Sequence, residues 1–462
     1  MIINKYFIYK KSEVKNMTSQ GLKRQVKWYV SAALVIGTLG ATGLFGNLPV
    51  TYSMAGPAAA LVWIVTLLFG AFAAVVLAYN FTIWPDKAGA EYAPVRIALG
   101  KIPGAIAGWG FYINWGTAGA IASLILGRYI FGTDPSTFLH RQLFAFALVT
   151  IFFVFNYFGI KIAGITQTIL TILKVVPLIL VGLVAIPFVN LSNFHPFWVS
   201  GVPGVQANTM EGMLMLFLSA ALIATWSTYS TDIFASIVPE IEDPEKGIPR
   251  AAWFSVVVSL AFVGLITITA IGVLGSQMGT LSKPLFQYGQ IVLGNAGEIL
   301  LWIALVCGAL TVPNVALMSA SRVTYQMAVE GDMPKIFAKT NKYGVPHWGL
   351  ILIYLINVIM IFYTAAYAVL VAIVQVPWIV CWFLLGVANL KIRATKEWHE
   401  KAIFKAPWWV VIGAFIVGLI GFGYCYAYGV LWGWHDIILG IVFVLLILVI
   451  MAVDSLVSRN KK

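Results

Sequence analysis

Charge is what this 462-residue sequence has least of: Asp, Glu, Lys and Arg together make up 10% of it. A soluble domain carries roughly a quarter charged residues to cover its surface, so a water-soluble globular fold is excluded. Cysteine is equally scarce. Cys307, Cys381 and Cys425 all fall in apolar stretches, which excludes an extracellular disulfide framework and leaves no metal-ligand spacing. No cofactor or metal is expected. No nucleophile–base pair, phosphate loop or metal cluster stands among the few polar residues of the apolar stretches, so an enzyme is excluded. A channel is disfavoured by the lack of polar rings along several helices. The first 27 residues are basic but adjoin no short apolar run with a small-residue cleavage site, which argues against a signal peptide. Met17 opens an equally plausible chain, and residues 1–16 read as an upstream start-site artefact.

What the chain has is apolar sequence, 61% of the total. A bilayer-spanning helix needs about 20 mostly apolar residues. Such segments recur near 28–54, 56–80, 104–131, 142–160, 163–189, 209–238, 250–275, 290–328, 347–363, 365–390, 408–430 and 433–457. The expectation is an all-α polytopic membrane protein with twelve spans.

The formal charge of +12 belongs to this topology rather than to nucleic acid, for which no partner role is expected. An even number of spans puts both termini on one side. With that side cytoplasmic, only Arg128, Arg141 and Lys283 fall outside and Lys174 within the membrane, while the remaining Lys and Arg residues lie inside. This is the positive-inside bias. It predicts a cell (cytoplasmic) membrane protein with residues 1–27 and 458–462 as cytoplasmic tails. The basic blocks at Lys5–Lys27, Lys391–Lys405 and Arg459–Lys462 set orientation and can also touch anionic lipid.

Two spans are interrupted. The first holds "GTLGATGLFGNLP", with Gly37, Gly40, Gly43, Gly46 and Pro49 three residues apart; the sixth holds "ATWSTYSTD", Ala224 to Asp232. Each opens a group of five spans, 28–189 and 209–390, with 408–457 left over. Corresponding breaks in two halves point to an inverted-repeat transporter with a midplane site. Packing glycines and hydroxyls bonded to their own helix are the plainer alternative for either break taken alone. A third feature is Lys174, inside "TILKVVPLILVG". A charge at that depth is costly and is kept for a partner or a task.

At these residues the sequence resembles the amino acid–polyamine–organocation (APC) superfamily, of amino acid permease type. "ATGLF" (Ala41–Phe45) and "AGPA" stand where the family has its first-helix glycine motif, and "EIEDPEKGIPRA" (Glu240–Ala251) where it has its acidic-Asn-Pro loop. "SASRVTYQMAVEGDMPKIFAKTNKYGVPHW" (Ser319–Trp348) matches the long loop after the eighth helix. Ala41 replaces the usual first glycine, and Ser230-Thr231 replace Gly-Phe, which makes the pocket floor more polar. The resemblance implies a LeuT-like (APC) fold with helices 1 and 6 discontinuous. It implies that a substrate carboxylate meets N–H and hydroxyl groups around Ala41, Thr42 and Gly43, and that its ammonium meets carbonyls near Leu39, Trp226 and Tyr229, with Ser230 nearby. Trp226 falls where the family has an inner gate. Asp232 is expected to cap the broken helix. Asn114 stands where several cationic amino-acid transporters carry a glutamate, which favours a neutral substrate.

The same resemblance places "LKVVP" where several sodium-independent relatives carry a lysine. Lys174 would then fill the cation position of sodium-dependent relatives, bonding helix-one carbonyls near Gly37 and Thr38 and the hydroxyls of Ser319 or Ser321. Incomplete compensation by those carbonyls would let Lys174 shed a proton and couple transport to it; full compensation would leave a uniporter or exchanger. The expectation is a secondary active permease for small neutral amino acids, working by alternating access, sodium-independent and proton-coupled, with lipid and protons as further partners. A polyamine or cationic amino-acid carrier using Asp232 is the alternative within transport. A non-transporting amino-acid sensor is the alternative of another class.

Overall fold

The computed structural model describes residues 24–363 and 367–459, with the side chains of Ala41, 160–164 and 457–459 outside the description. It is helical throughout, apart from an isolated parallel bridge between Val26 and Ile241. The helices run in chain order as α1 (Trp28–Thr38), α2 (Ala41–Ala55), α3 (Ala59–Ile83), α4 (Tyr92–Leu99), α5 (Lys101–Phe131) and α6 (Phe138–Tyr157). They continue as α7 (Ile160–Ala185), α8 (Met210–Thr228), α9 (Ile233–Ser236), α10 (Pro244–Leu274), α11 (Gln277–Thr280) and α12 (Pro284–Val329). The chain closes with α13 (His347–Tyr363), α14 (Tyr367–Ala394), α15 (Lys396–Lys401), α16 (Trp408–Trp432) and α17 (His435–Arg459).

Among the described residues, nine helical stretches are long and apolar enough to cross a membrane, and one of them, Trp28–Ile83, contains α1, α2 and α3. Two helices over expected spans fall outside that group for different reasons. The 31 residues of α5 are diluted by glycine, Asn114 and Thr117, yet most of its side chains are buried in protein. Its small residues admit close neighbours: a side chain at Gly110 would meet the Pro377 carbonyl, and one at Gly119 would meet Pro313. This is how helices associate where lipid offers no hydrophobic drive. The other, α13, is simply short at 17 residues.

Helix α12 packs on both α5 and α7, and α14 packs on α5. The outer surface is greasy, with Leu68, Ile172, Val176, Leu183, Trp253 and Leu445 exposed. In water that would be an aggregation hazard; in a bilayer it is the expected exterior. One end of the molecule is laced by ion pairs: Arg24 with Asp86 at 2.7 Å, Lys87 with Glu330, and Arg96 with Asp332 at 2.6 Å.

Candidate functional site

The first interruption follows from local sequence. Helix α1 ends at Thr38, Leu39 is extended, and Gly40 takes a left-handed conformation at φ 61°. Glycine is the residue for which that conformation is cheap, and α2 restarts at Ala41. The second interruption separates α8, ending at Thr228, from the single turn α9. A helix end leaves up to four backbone groups without an intrahelical partner. The two breaks partly satisfy each other, because the Gly40 N–H donates to the Ser227 carbonyl at 2.7 Å.

Lys174 takes up the carbonyls left by the first break. Its fully buried ammonium donates to Ile36 at 2.6 Å, Gly37 at 2.9 Å and Leu39 at 2.9 Å, and it lies 5.2 Å from the centre of the Phe262 ring. Three ammonium hydrogens meet three carbonyls. The contribution from α12 is not Ser319 or Ser321. Thr311 donates to the Gly37 carbonyl at 2.6 Å, Ser321 bonds the Met318 carbonyl, and the Ser319 hydroxyl has no partner among the described residues. Thr38 likewise turns back on its own helix, bonding Leu34 and Val35.

On the α2 side the break presents N–H groups of the first helical turn, whose partial positive charge suits an anion. Thr42 and Ser230 are buried, and their hydroxyls have no partner among the described residues. Ala41 opens α2, but its side chain lies outside the described residues. Gly43 is packed against α8: a Cβ there would overlap Oγ and Cβ of Ser227. Asn47 holds that serine, donating to its Oγ at 2.9 Å. Leu39, expected to face a ligand's ammonium, has its carbonyl engaged by Lys174.

The aromatic group at the second break is Tyr229 with Trp378 and Trp382 of α14. Tyr229 stacks on Trp382 at 4.7 Å, nearly parallel. Trp226 is half-buried and has no ring partner among the described residues. Asp232 corrects an expectation, since its side chain makes no helix cap. Its Oδ2 instead accepts the indole N–H of Trp115 at 3.0 Å and of Trp378 at 3.3 Å. Asn114 donates to Gln375 Oε1 at 2.7 Å and to the Val374 carbonyl at 3.0 Å, tying α5 to α14. Below the second break a buried ion pair joins Arg322 of α12 to Glu240 at 3.0 Å. The Glu240 carbonyl in turn accepts the N–H groups of Gln25 and Val26.

Sequence reasoning missed Thr311, Phe262, Trp115, Trp378 and Glu91. Glu91 sits in the short connection before α4, which reads as a solvated turn, yet it is fully buried.

Residues 27–461 match the family described as amino acid permease. Among curated relatives, the L-asparagine permease of Salmonella typhimurium is 23% identical over 81% of this chain and 77% of its own length. The branched-chain amino acid permease of Bacillus subtilis is 25% identical over 74% and 76%. The D-serine/D-alanine/glycine transporter of Escherichia coli K12 is 24% identical over 86% and 87%. With the family match spanning nearly the whole helical body, and interrupted helices facing one another within it, the chain belongs to the amino acid permeases of the APC superfamily, multi-pass membrane transporters rather than enzymes.

Proposed function

We propose that this permease moves small neutral amino acids across the cytoplasmic membrane by alternating access, without sodium and coupled to protons. The observation that carries the sodium-free part of the reading is the ammonium of Lys174 on the carbonyls of Ile36, Gly37 and Leu39. A fixed cation at the first break leaves no structural need for a bound ion. The chain is organised as twelve spans in two inverted groups, 28–189 and 209–390, with 408–457 appended and both termini cytoplasmic. The ion-paired end that gathers Arg24, Lys87, Arg96 and Lys101 supports that orientation through the positive-inside bias.

The substrate carboxylate sits at the N-terminal turn of α2, on Thr42 and Gly43, after Ser227 moves from the space it now fills. Its ammonium meets carbonyls of the second break around Trp226 and Tyr229, and Ser230 supplies a hydroxyl. Trp226 acts as the inner gate by swinging over the occupied site. Neutral substrates fit because Asn114 already bonds Gln375 and Asp232 already accepts two indoles. The relatives named above for asparagine, branched-chain amino acids, and serine, alanine and glycine all take neutral amino acids by their names. The test is uptake of radiolabelled amino acids into proteoliposomes across a panel, with and without a pH gradient. Neutral amino acids accumulating with the gradient is the expected outcome. Transport of polyamines or arginine alone overturns the neutral assignment.

A further inference from the structure

Three donors on three acceptors satisfy the Lys174 ammonium, and two further buried ionisable groups stand apart from it. Glu91 and Asp232 are both fully buried. Their carboxyl groups are close neighbours, one from the connection before α4 and one from the second break. Asp232 Oδ2 takes the two indole N–H groups, but Asp232 Oδ1 and both oxygens of Glu91 have no donor among the described residues. Two ionised carboxylates offer acceptors only. Among the described residues, the buried Cys381 thiol of α14 also lies near them, and their polar neighbours from α5 and α14 are Trp115 and Trp378. No cation is paired with either acid among the described ion pairs; the buried arginine of α12, Arg322, is held by Glu240.

Like charges side by side in a dry site cannot both persist, whereas one shared proton supplies the missing donor and halves the charge. We propose that Glu91 and Asp232 together form the binding site of the transported proton, one proton held between the two carboxyl groups. This rests on the proton-coupled reading above. Beside the pair, the Ala90 N–H donates to the Ala235 carbonyl at 3.2 Å, so the connection carrying Glu91 lies directly on α9. Protonated, the two acids hold the connection and α9 together. When the proton leaves to water on the side of the ion-paired end, the site passes from one negative charge to two, and repulsion drives the connection away from α9. Proton release and inward opening are then the same event.

The test uses purified full-length protein, with Glu91→Gln and Asp232→Asn read side by side. Glutamine at position 91 supplies permanently the hydrogen that the shared proton supplies. Infrared difference spectra between neutral and alkaline pH should show a protonated-carboxyl band in the wild type that is lost in both variants. In proteoliposomes, Glu91→Gln should keep amino-acid exchange while substrate-driven proton uptake falls from about one per substrate to near zero. If the band is missing from the wild type or survives in both variants, no proton resides on the pair and the proposal is overturned. If the band is absent as predicted but Glu91→Gln still moves protons with substrate, the proton travels elsewhere; that overturns the site and leaves the coupled reading intact. A wild type that carries the band but moves no proton overturns the coupled reading and the transport role assigned to the pair.

Discussion

The Gly40 N–H donates to the Ser227 carbonyl at 2.7 Å, so the break in the first span is hydrogen-bonded to the helix that precedes the break in the sixth. Any movement that separates the two breaks must lengthen or exchange this bond. On the proposed reading, the N–H groups of α2 and the carbonyls of the second break on either side of this bond supply the complementary ends that a zwitterion needs.

Gly43 should tolerate no side chain. A Cβ there overlaps Ser227, and overpacking a tight interface costs about 1–3 kcal/mol. Gly43→Ala is expected to lower the thermal midpoint and abolish stabilisation by neutral amino acids. Adding Ser227→Gly should return the midpoint but not ligand binding, because the methyl group still occupies the carboxylate's place. Thermal shift with and without ligand checks both halves.

Lys174→Ala leaves three carbonyls without their donor in a dry interior, at roughly 1–3 kcal/mol for each unsatisfied group. Transport should collapse although the lysine touches no substrate. With the proton seated on Glu91 and Asp232, residual exchange in this variant should keep the wild-type pH profile, measured as initial rates from pH 5 to pH 8.

Arg322 and Glu240 form an ion pair with both side chains almost fully buried. Removing one partner strands a buried charge, which costs about 3–5 kcal/mol. Arg322→Gln and Glu240→Gln should each destabilise the protein by that order, and the double variant should recover much of the loss. A double-mutant cycle on thermal midpoints gives the coupling directly.

Much of this arrangement was legible in the sequence. Glycine spacing marked the first break, clustered hydroxyls marked the second, and "LKVVP" pointed Lys174 at the helix-one carbonyls it bonds. Partners far apart in the chain were not legible. Asp232 read as a helix cap because capping is a local pattern, whereas its indole donors lie 117 and 146 residues away. Thr311, rather than Ser319 or Ser321, reaches the Gly37 carbonyl because the register of α12 against α1 is set by packing, which periodicity does not report. Glu91 gave no signal, since an acid in a polar connection normally faces water, and only tertiary packing puts it against Asp232. Residues 1–16 and the tail at 460–462 lie outside the described residues.

The most direct measurement of the central claim is the initial rate of labelled neutral amino-acid uptake into proteoliposomes at fixed pH, with sodium replaced by choline. Because the Lys174 ammonium already sits on the carbonyls of Ile36, Gly37 and Leu39, the rate should be unchanged. A steep loss of uptake without sodium would contradict the account and leave the cost of burying this lysine without an explanation.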